Sequence, residues 1–209
     1  MVHVHAGQPD PEAARAQAEG ADRGPCLSTP NGPRRLVLGG TRSGKSAYAE
    51  DLLPAAAPVR YAATARRYPG DTEWDARIAR HVARRPPAWV TVEEPDLVAE
   101  LARPGPLLVD DLATWLTGVM DDAGAWEGPS PAVGASVAAL VAAVAAAESC
   151  VLVSAEVGLG IVPESRSGRL FRDELGALNA ALAAVCDEVV LVVAGLPLVL
   201  KQPDGRKSG

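Results

Sequence analysis

From Arg34 onward the chain alternates short apolar runs with longer segments whose apolar positions recur at helical spacing. The runs RLVLGG (35–40), PVRYAAT (58–64), AWVTV (88–92), PLLVDD (106–111), CVLVSAE (150–156), EVVLVVA (188–194) and LVLK (198–201) predict strands. Most of them carry consecutive rather than alternating apolar residues, as strands covered on both faces do. Between them, 44–53, 71–84, 95–103, 111–121, 132–149 and 167–186 predict helices. This β-α alternation predicts an α/β fold with a mostly parallel sheet and helices on both faces. AGLPLVLK follows the run 188–194 too closely for a crossover, so an antiparallel C-terminal edge hairpin is expected. Residues 1–33, rich in Ala, Pro, Gly and Asp and without apolar periodicity, predict a flexible tail. One domain over 34–203 and a short tail over 204–209 complete the expected organisation.

Composition narrows the function. The chain has 209 residues, 48% of them hydrophobic, and a formal net charge of -6. That charge gives no global attraction for nucleic acid or an anionic membrane, so a bound phosphate must be held by local donors, with a divalent cation. The three cysteines, Cys26, Cys150 and Cys186, form no CxxC pair and suggest neither a zinc site nor a disulfide framework, so a reducing cytoplasm is expected. The start MVHVHAGQPD does not read as a signal peptide. The longest apolar stretch, VAALVAAVAAAESCVLV, is interrupted by Glu148 and Ser149 and does not read as a membrane span. His3 and His5 make a poor metal site on a mobile tail.

LVLGGTRSGKSAYAE places Gly39, Gly40, Thr41, Arg42, Ser43, Gly44, Lys45 and Ser46 directly after a strand and before a helix. The glycines let successive backbone N–H groups face phosphate oxygens. Lys45 adds charge toward the β- and γ-phosphates, Ser46 offers a hydroxyl to Mg²⁺, and the helix N-terminus adds its dipole. Such a loop needs an acidic partner at the end of a neighbouring strand. Asp110 in PLLVDD is the candidate; Asp111 reads equally as the cap of the next helix.

WDARIARHVARRPP contains His81, the one histidine outside the tail. On a helix, Trp74, Ile78, His81 and Arg85 share a face, flanked by Arg77 and Arg84, and Pro86 ends the helix. His81 reads either as the polar rim of a packed helix or as a nucleophile. Neighbouring cations disfavour imidazolium, and a neutral imidazole suits attack on a nucleotide α-phosphorus.

These motifs and their order, with YAATA, VSAEVGLGIVPE and GRLFRDELGALNAALAAVCDEVVLVVAGLPLVLK, resemble the bifunctional adenosylcobinamide kinase / adenosylcobinamide-phosphate guanylyltransferase family over about residues 35–201. The resemblance implies a RecA-like P-loop NTPase fold, commonly a trimer. It implies phosphorylation of adenosylcobinamide by GTP or ATP, then transfer of GMP from GTP to adenosylcobinamide phosphate through a guanylylated histidine. The R-I-x-x-H-x-x-x-R-P register assigns that histidine to His81, with Lys45 as the other catalytic residue. By the same matching, residues 39–46, Thr64, Ala65, Arg84, Arg85, Pro86, Pro87, Glu93 and Asp110 contact nucleotide, and Ser46 and Asp110 hold Mg²⁺. Glu156 and Gly158 either shape the corrinoid side of the site or form a tight turn. The sequence departs from the family at RRYPGDTEW, which is longer and carries Trp74 in place of methionine, and at Ala180 in place of glutamine. A kinase-only enzyme with a structural His81 is the alternative. Since one GTP pose does not suit attack at both Pγ and Pα, the His81 helix is expected to move between steps.

Overall fold

The computed structural model describes residues 32–66, 79, 82–83 and 85–202. The described elements are β1 (Arg34–Gly39), α1 (Lys45–Asp51), β2 (Arg60–Ala63), β3 (Val90–Glu93), α2 (Leu97–Leu101), β4 (Leu107–Asp110), α3 (Leu112–Asp122), α4 (Pro131–Ala146), β5 (Cys150–Ala155), α5 (Arg166–Val185), β6 (Glu188–Val193) and β7 (Leu196–Lys201). The helix expected over 71–84 falls mostly outside the described residues, as do the tails; Ala79, Val82 and Ala83 are helical.

Seven strands form one sheet in the order β3-β2-β4-β5-β1-β6-β7. Every pairing is parallel except β6–β7. The continuous apolar runs serve two cores at once. Leu36, Leu38, Val109 and Leu152 face one side, against Leu112 and Leu116 of α3, Leu140 of α4 and Leu175, Leu178 and Leu182 of α5. Their neighbours Val37, Leu108, Val151 and Val153 face the other, with Ala49 of α1, Tyr61 and Trp89. Successive strand residues point to opposite faces, so a run of this kind is buried throughout only between two layers.

Polar ties fix the layers. The buried Ser154 hydroxyl donates to Asn179 Oδ1 at 2.6 Å, and Asn179 Nδ2 donates to the Ala155 carbonyl at 3.1 Å, joining α5 to the end of β5. Arg34 bonds Asp187 through Nε at 3.0 Å and Nη2 at 2.7 Å, and reaches the Ala145 carbonyl of α4 with Nη1 at 2.7 Å. Lys201 donates to the carbonyls of Ala183, Ala184 and Cys186, satisfying the C-terminal end of α5.

The β6–β7 connection is a two-residue turn with Ala194 at φ 52° and Gly195 at φ 80°. Positive φ at both positions matches the strand twist and closes the hairpin. β7 begins at Leu196, two residues before the expected run, and Pro197 is tolerated because the strand is at the sheet edge. Unlike the central strands, β7 is exposed along its length.

Candidate active site

The site forms at the C-terminal ends of the parallel strands, where open α/β sheets bind ligands. Register aligns Ala63 with Glu93 on one side and Asp110 on the other, and Gly39 with Ala155.

Residues 40–44 link β1 to α1. Gly44, the cap of α1, has φ 95°, a conformation that favours glycine, and Arg42 has φ 57°. Gly39 is required for a different reason: a Cβ there would collide with Ser43 Oγ and the Val192 carbonyl. Ser43 is buried, its Oγ accepts from the Lys45 N–H at 3.3 Å, and its own N–H donates to the Gly40 carbonyl at 3.3 Å. The hairpin turn braces this loop, since the Gly195 N–H donates to the Ser43 carbonyl at 2.8 Å. Thr41 and Arg42 are exposed at its tip.

Asp110 and Asp111 divide the work that the sequence left open between them. Asp110 Oδ1 accepts from the Ser46 hydroxyl at 3.1 Å, and Oδ2 accepts from the Tyr61 hydroxyl at 2.5 Å. Burial, reinforced by Asp110, pushes the Tyr61 pKa far up, so the phenol stays protonated and donates. Asp111 caps α3, with Oδ1 accepting from the Ala113 and Thr114 N–H groups at 2.6 and 3.3 Å. Its Oδ2 lies 4.0 Å from Lys45 Nζ. Burial and the Asp110 charge push the Asp111 carboxyl up, and Lys45 and the cap bonds pull it back.

Thr64 is buried and holds the backbone at this junction. Its Oγ1 lies 2.6 Å from the Asp111 carbonyl and 2.6 Å from Thr114 Oγ1, and accepts from the Asp111 N–H at 3.0 Å. Ala65 follows, half-buried. Arg66 pairs with Asp122 and passes over Gly118, where a Cβ would approach its Nε to 2.9 Å.

His81 and Arg84 lie outside the described residues. Arg85 lies beyond them, its N–H donating to the Val82 carbonyl at 3.1 Å and its Nη1 to Thr91 Oγ1 at 2.8 Å. Its guanidinium carbon sits 3.6 Å from the Tyr61 ring centroid. Pro86 is half-buried and Pro87 exposed. Glu93 is exposed at the end of β3. Glu156 makes a tight turn, its Oε1 accepting from the Gly158 N–H at 2.7 Å, and Arg172 donates to the Gly158 carbonyl at 3.1 Å. Beyond that turn Leu159 and Ile161 are 82% and 96% exposed, an apolar loop beside the site.

Ser46, Lys45 and Asp110 are thus brought together, with Thr64 and Asp111 behind them. Tyr61, Thr114 and Gly195 are participants that sequence reasoning missed. Tyr61 reads as a core residue in PVRYAAT, and only the register of β2 against β4 brings its hydroxyl to Asp110.

No cluster of three or more His, Cys, Asp or Glu among the described residues could cage a metal. The adjacent oxygens of Ser46 and Asp110 instead fit Mg²⁺, which binds through one or two protein oxygens and completes its shell with phosphates and water.

A glycine-cradled loop between β1 and α1, a lysine and hydroxyl at its end, and an aspartate from β4 define a P-loop nucleotide-binding fold. Residues 35–200 match the model of the cobinamide kinase / cobinamide phosphate guanyltransferase family. The bifunctional adenosylcobalamin biosynthesis protein CobP of Pseudomonas aeruginosa is 42% identical over 176 residues, covering 80% of this chain and 97% of that protein. CobU proteins described in the same words from Escherichia coli and Salmonella typhimurium are 40% and 38% identical over 183 residues, each covering 79% of this chain and 98% of the relative. The chain belongs to the cobinamide kinase / cobinamide phosphate guanyltransferase family.

Proposed function

We propose that this enzyme phosphorylates adenosylcobinamide with GTP or ATP and then transfers GMP from GTP to adenosylcobinamide phosphate, with His81 as the covalent carrier. The observation that carries the nucleotide half of this reading is the Ser46–Asp110 contact at the end of the glycine loop. The family supplies the two activities.

In the first step the corrinoid's aminopropanol hydroxyl attacks Pγ, and the nucleoside diphosphate leaves. Backbone N–H groups of the glycine loop, other than those of Ser43 and Lys45 that bond within it, and Lys45 Nζ orient the phosphates and offset the charge that accumulates on them. In the second, the imidazole of His81 attacks Pα of GTP and pyrophosphate leaves, forming a phosphoramidate. The phosphate oxygen of adenosylcobinamide phosphate then attacks Pα, giving adenosylcobinamide-GDP and restoring the histidine. Mg²⁺, held by Ser46 and Asp110, would neutralise phosphate charge. Arg84 and Arg85, with their fixed guanidinium forks, suit the phosphates near the histidine. Thr64, Ala65, Pro86, Pro87 and Glu93 belong to the same nucleotide site in this reading. The chain works in the cytoplasm as a homo-oligomer, a trimer by the same resemblance. No described helix is long and apolar enough to cross a membrane.

Mass spectrometry of the full chain after incubation with GTP and Mg²⁺ should find a single acid-labile GMP adduct on His81. His81→Ala should lose the adduct and the guanylyltransferase reaction while still phosphorylating adenosylcobinamide. An unmodified wild-type chain that retains kinase activity would favour a kinase-only enzyme.

A further inference from the structure

One contact chain runs from the glycine loop to the segment after His81. The Ser46 hydroxyl reaches Asp110 Oδ1 at 3.1 Å, and the Tyr61 hydroxyl reaches Oδ2 of the same carboxylate at 2.5 Å. The Tyr61 ring is fully buried, and on its face lies the Arg85 guanidinium, 3.6 Å from the centroid. Trp89 packs beside the same ring, with centroids 6.2 Å apart, and is anchored by its indole N–H to the Pro54 carbonyl at 3.1 Å. Arg85 is four residues beyond His81 in the chain.

Each link does something a hydrophobic residue would not. A phenol donating to one carboxylate oxygen fixes the carboxylate plane, leaving the other oxygen directed at Ser46. Outer partners of this kind orient a metal ligand and typically change metal affinity about 10–100-fold when removed. The ring face attracts a cation, and a desolvated guanidinium over it is held more firmly than one in water. Arg85 Nε is buried and has no hydrogen-bond partner among the described residues. The aromatic face and the single bond to Thr91 therefore carry much of the seating of this guanidinium.

We propose that Tyr61 is a positioning residue with two separate tasks: its hydroxyl orients Asp110 for Mg²⁺, and its ring seats the Arg85 guanidinium for the nucleotide phosphates. The inference rests on the two-step reading above. It assigns the two ends of one side chain to separable effects.

The test measures binding of a fluorescent GTP analogue to the full chain as Mg²⁺ is titrated, alongside the rate of GMP-adduct formation at saturating Mg²⁺. Tyr61→Phe keeps the ring and removes the hydroxyl. It should raise the Mg²⁺ concentration for half-maximal effect about tenfold while leaving nucleotide affinity in EDTA unchanged. Tyr61→Leu also removes the aromatic face, and should in addition slow adduct formation at saturating Mg²⁺ relative to Tyr61→Phe. An unshifted Mg²⁺ dependence in Tyr61→Phe overturns the metal-side role, and equal adduct rates in the two variants overturn the seating role. Should Tyr61→Leu fail to fold, Tyr61→Met, closer in volume, replaces it in the same comparison. If wild type forms no adduct, the two-step reading fails, and the Mg²⁺ titration of Tyr61→Phe still decides the metal-side role.

Discussion

At the residue scale, the adjacent aspartates show how neighbours in sequence acquire different work. Asp110 ends β4 with both oxygens engaged by hydroxyls, whereas Asp111 spends one oxygen on the first turn of α3 and turns the other toward Lys45. Two amide donors on one oxygen make Asp111 an N-cap, and such caps contribute about 1 kcal/mol. Asp110→Asn should therefore abolish the Mg²⁺-dependent strengthening of nucleotide binding with little change in thermal stability. Asp111→Ala should lower stability by about 1 kcal/mol and keep the Mg²⁺ response. Isothermal titration with and without Mg²⁺, paired with thermal unfolding of both variants, checks the assignment, and exchanged phenotypes would reverse it.

At the scale of elements, sequence and structure agree where burial dictates pattern. The runs LVL at 36–38 and VLV at 151–153 are readable as strands because only a sheet covered on both faces buries every residue of such a run. The glycine loop was legible for a related reason: its spacing is local, and the backbone needs glycine at Gly44 for conformation and at Gly39 for space. Contacts between elements were not legible in that way. Nothing local in PVRYAAT distinguishes a core tyrosine from one that reaches Asp110, and nothing in AGLP announces that Gly195 will brace Ser43. Arg34 and Asp187, 153 positions apart, are another such pair, joining β1, α4 and the start of β6. The Arg34 guanidinium and N–H hold the Asp187 carboxyl below the ordinary carboxylate range. A depressed pKa means that the contribution is complete above about pH 4, the unfolded value, and is lost as pH falls through the lower folded value. Asp187→Asn should cost about 1 kcal/mol in urea unfolding at pH 7. The gap from wild type should narrow as pH drops below about 4; a gap constant with pH would show that the pair contributes no pH-dependent stability.

Over the whole molecule, the sheet ends in two edge strands among the described residues, β3 and the longer β7. Five of its strands are flanked by a partner on each side, and α1 to α5 cover the centre. β7 closes no further pairing among the described residues and buries none of its six positions. Antiparallel register sets Leu196 opposite Val193 and Leu198 opposite Leu191, so these four lie on one face of the hairpin. Three of them, Val193, Leu196 and Leu198, are 57%, 72% and 57% exposed. An exposed apolar edge strand invites pairing with another chain, and natural proteins blunt such edges with charge or cover them. Lys201, the charged residue of β7, is directed instead to the carbonyls that end α5. The hairpin also presses its turn on the glycine loop through Gly195 and Ser43, so a partner docking on β7 would stiffen the phosphate site it adjoins. The proposed homo-oligomer accounts for this face if a second copy covers it. Leu198→Asp places a charge at its centre without touching the α5 cap or the Gly195 contact. In sedimentation equilibrium wild type should run as the oligomer and Leu198→Asp as a monomer of unchanged secondary structure. The monomer should bind the GTP analogue more weakly, because the turn that supports Ser43 is no longer clamped from outside. A variant that sediments like wild type would place the oligomer contact elsewhere, and a monomeric variant with undiminished nucleotide affinity would uncouple the hairpin's outer face from the phosphate loop.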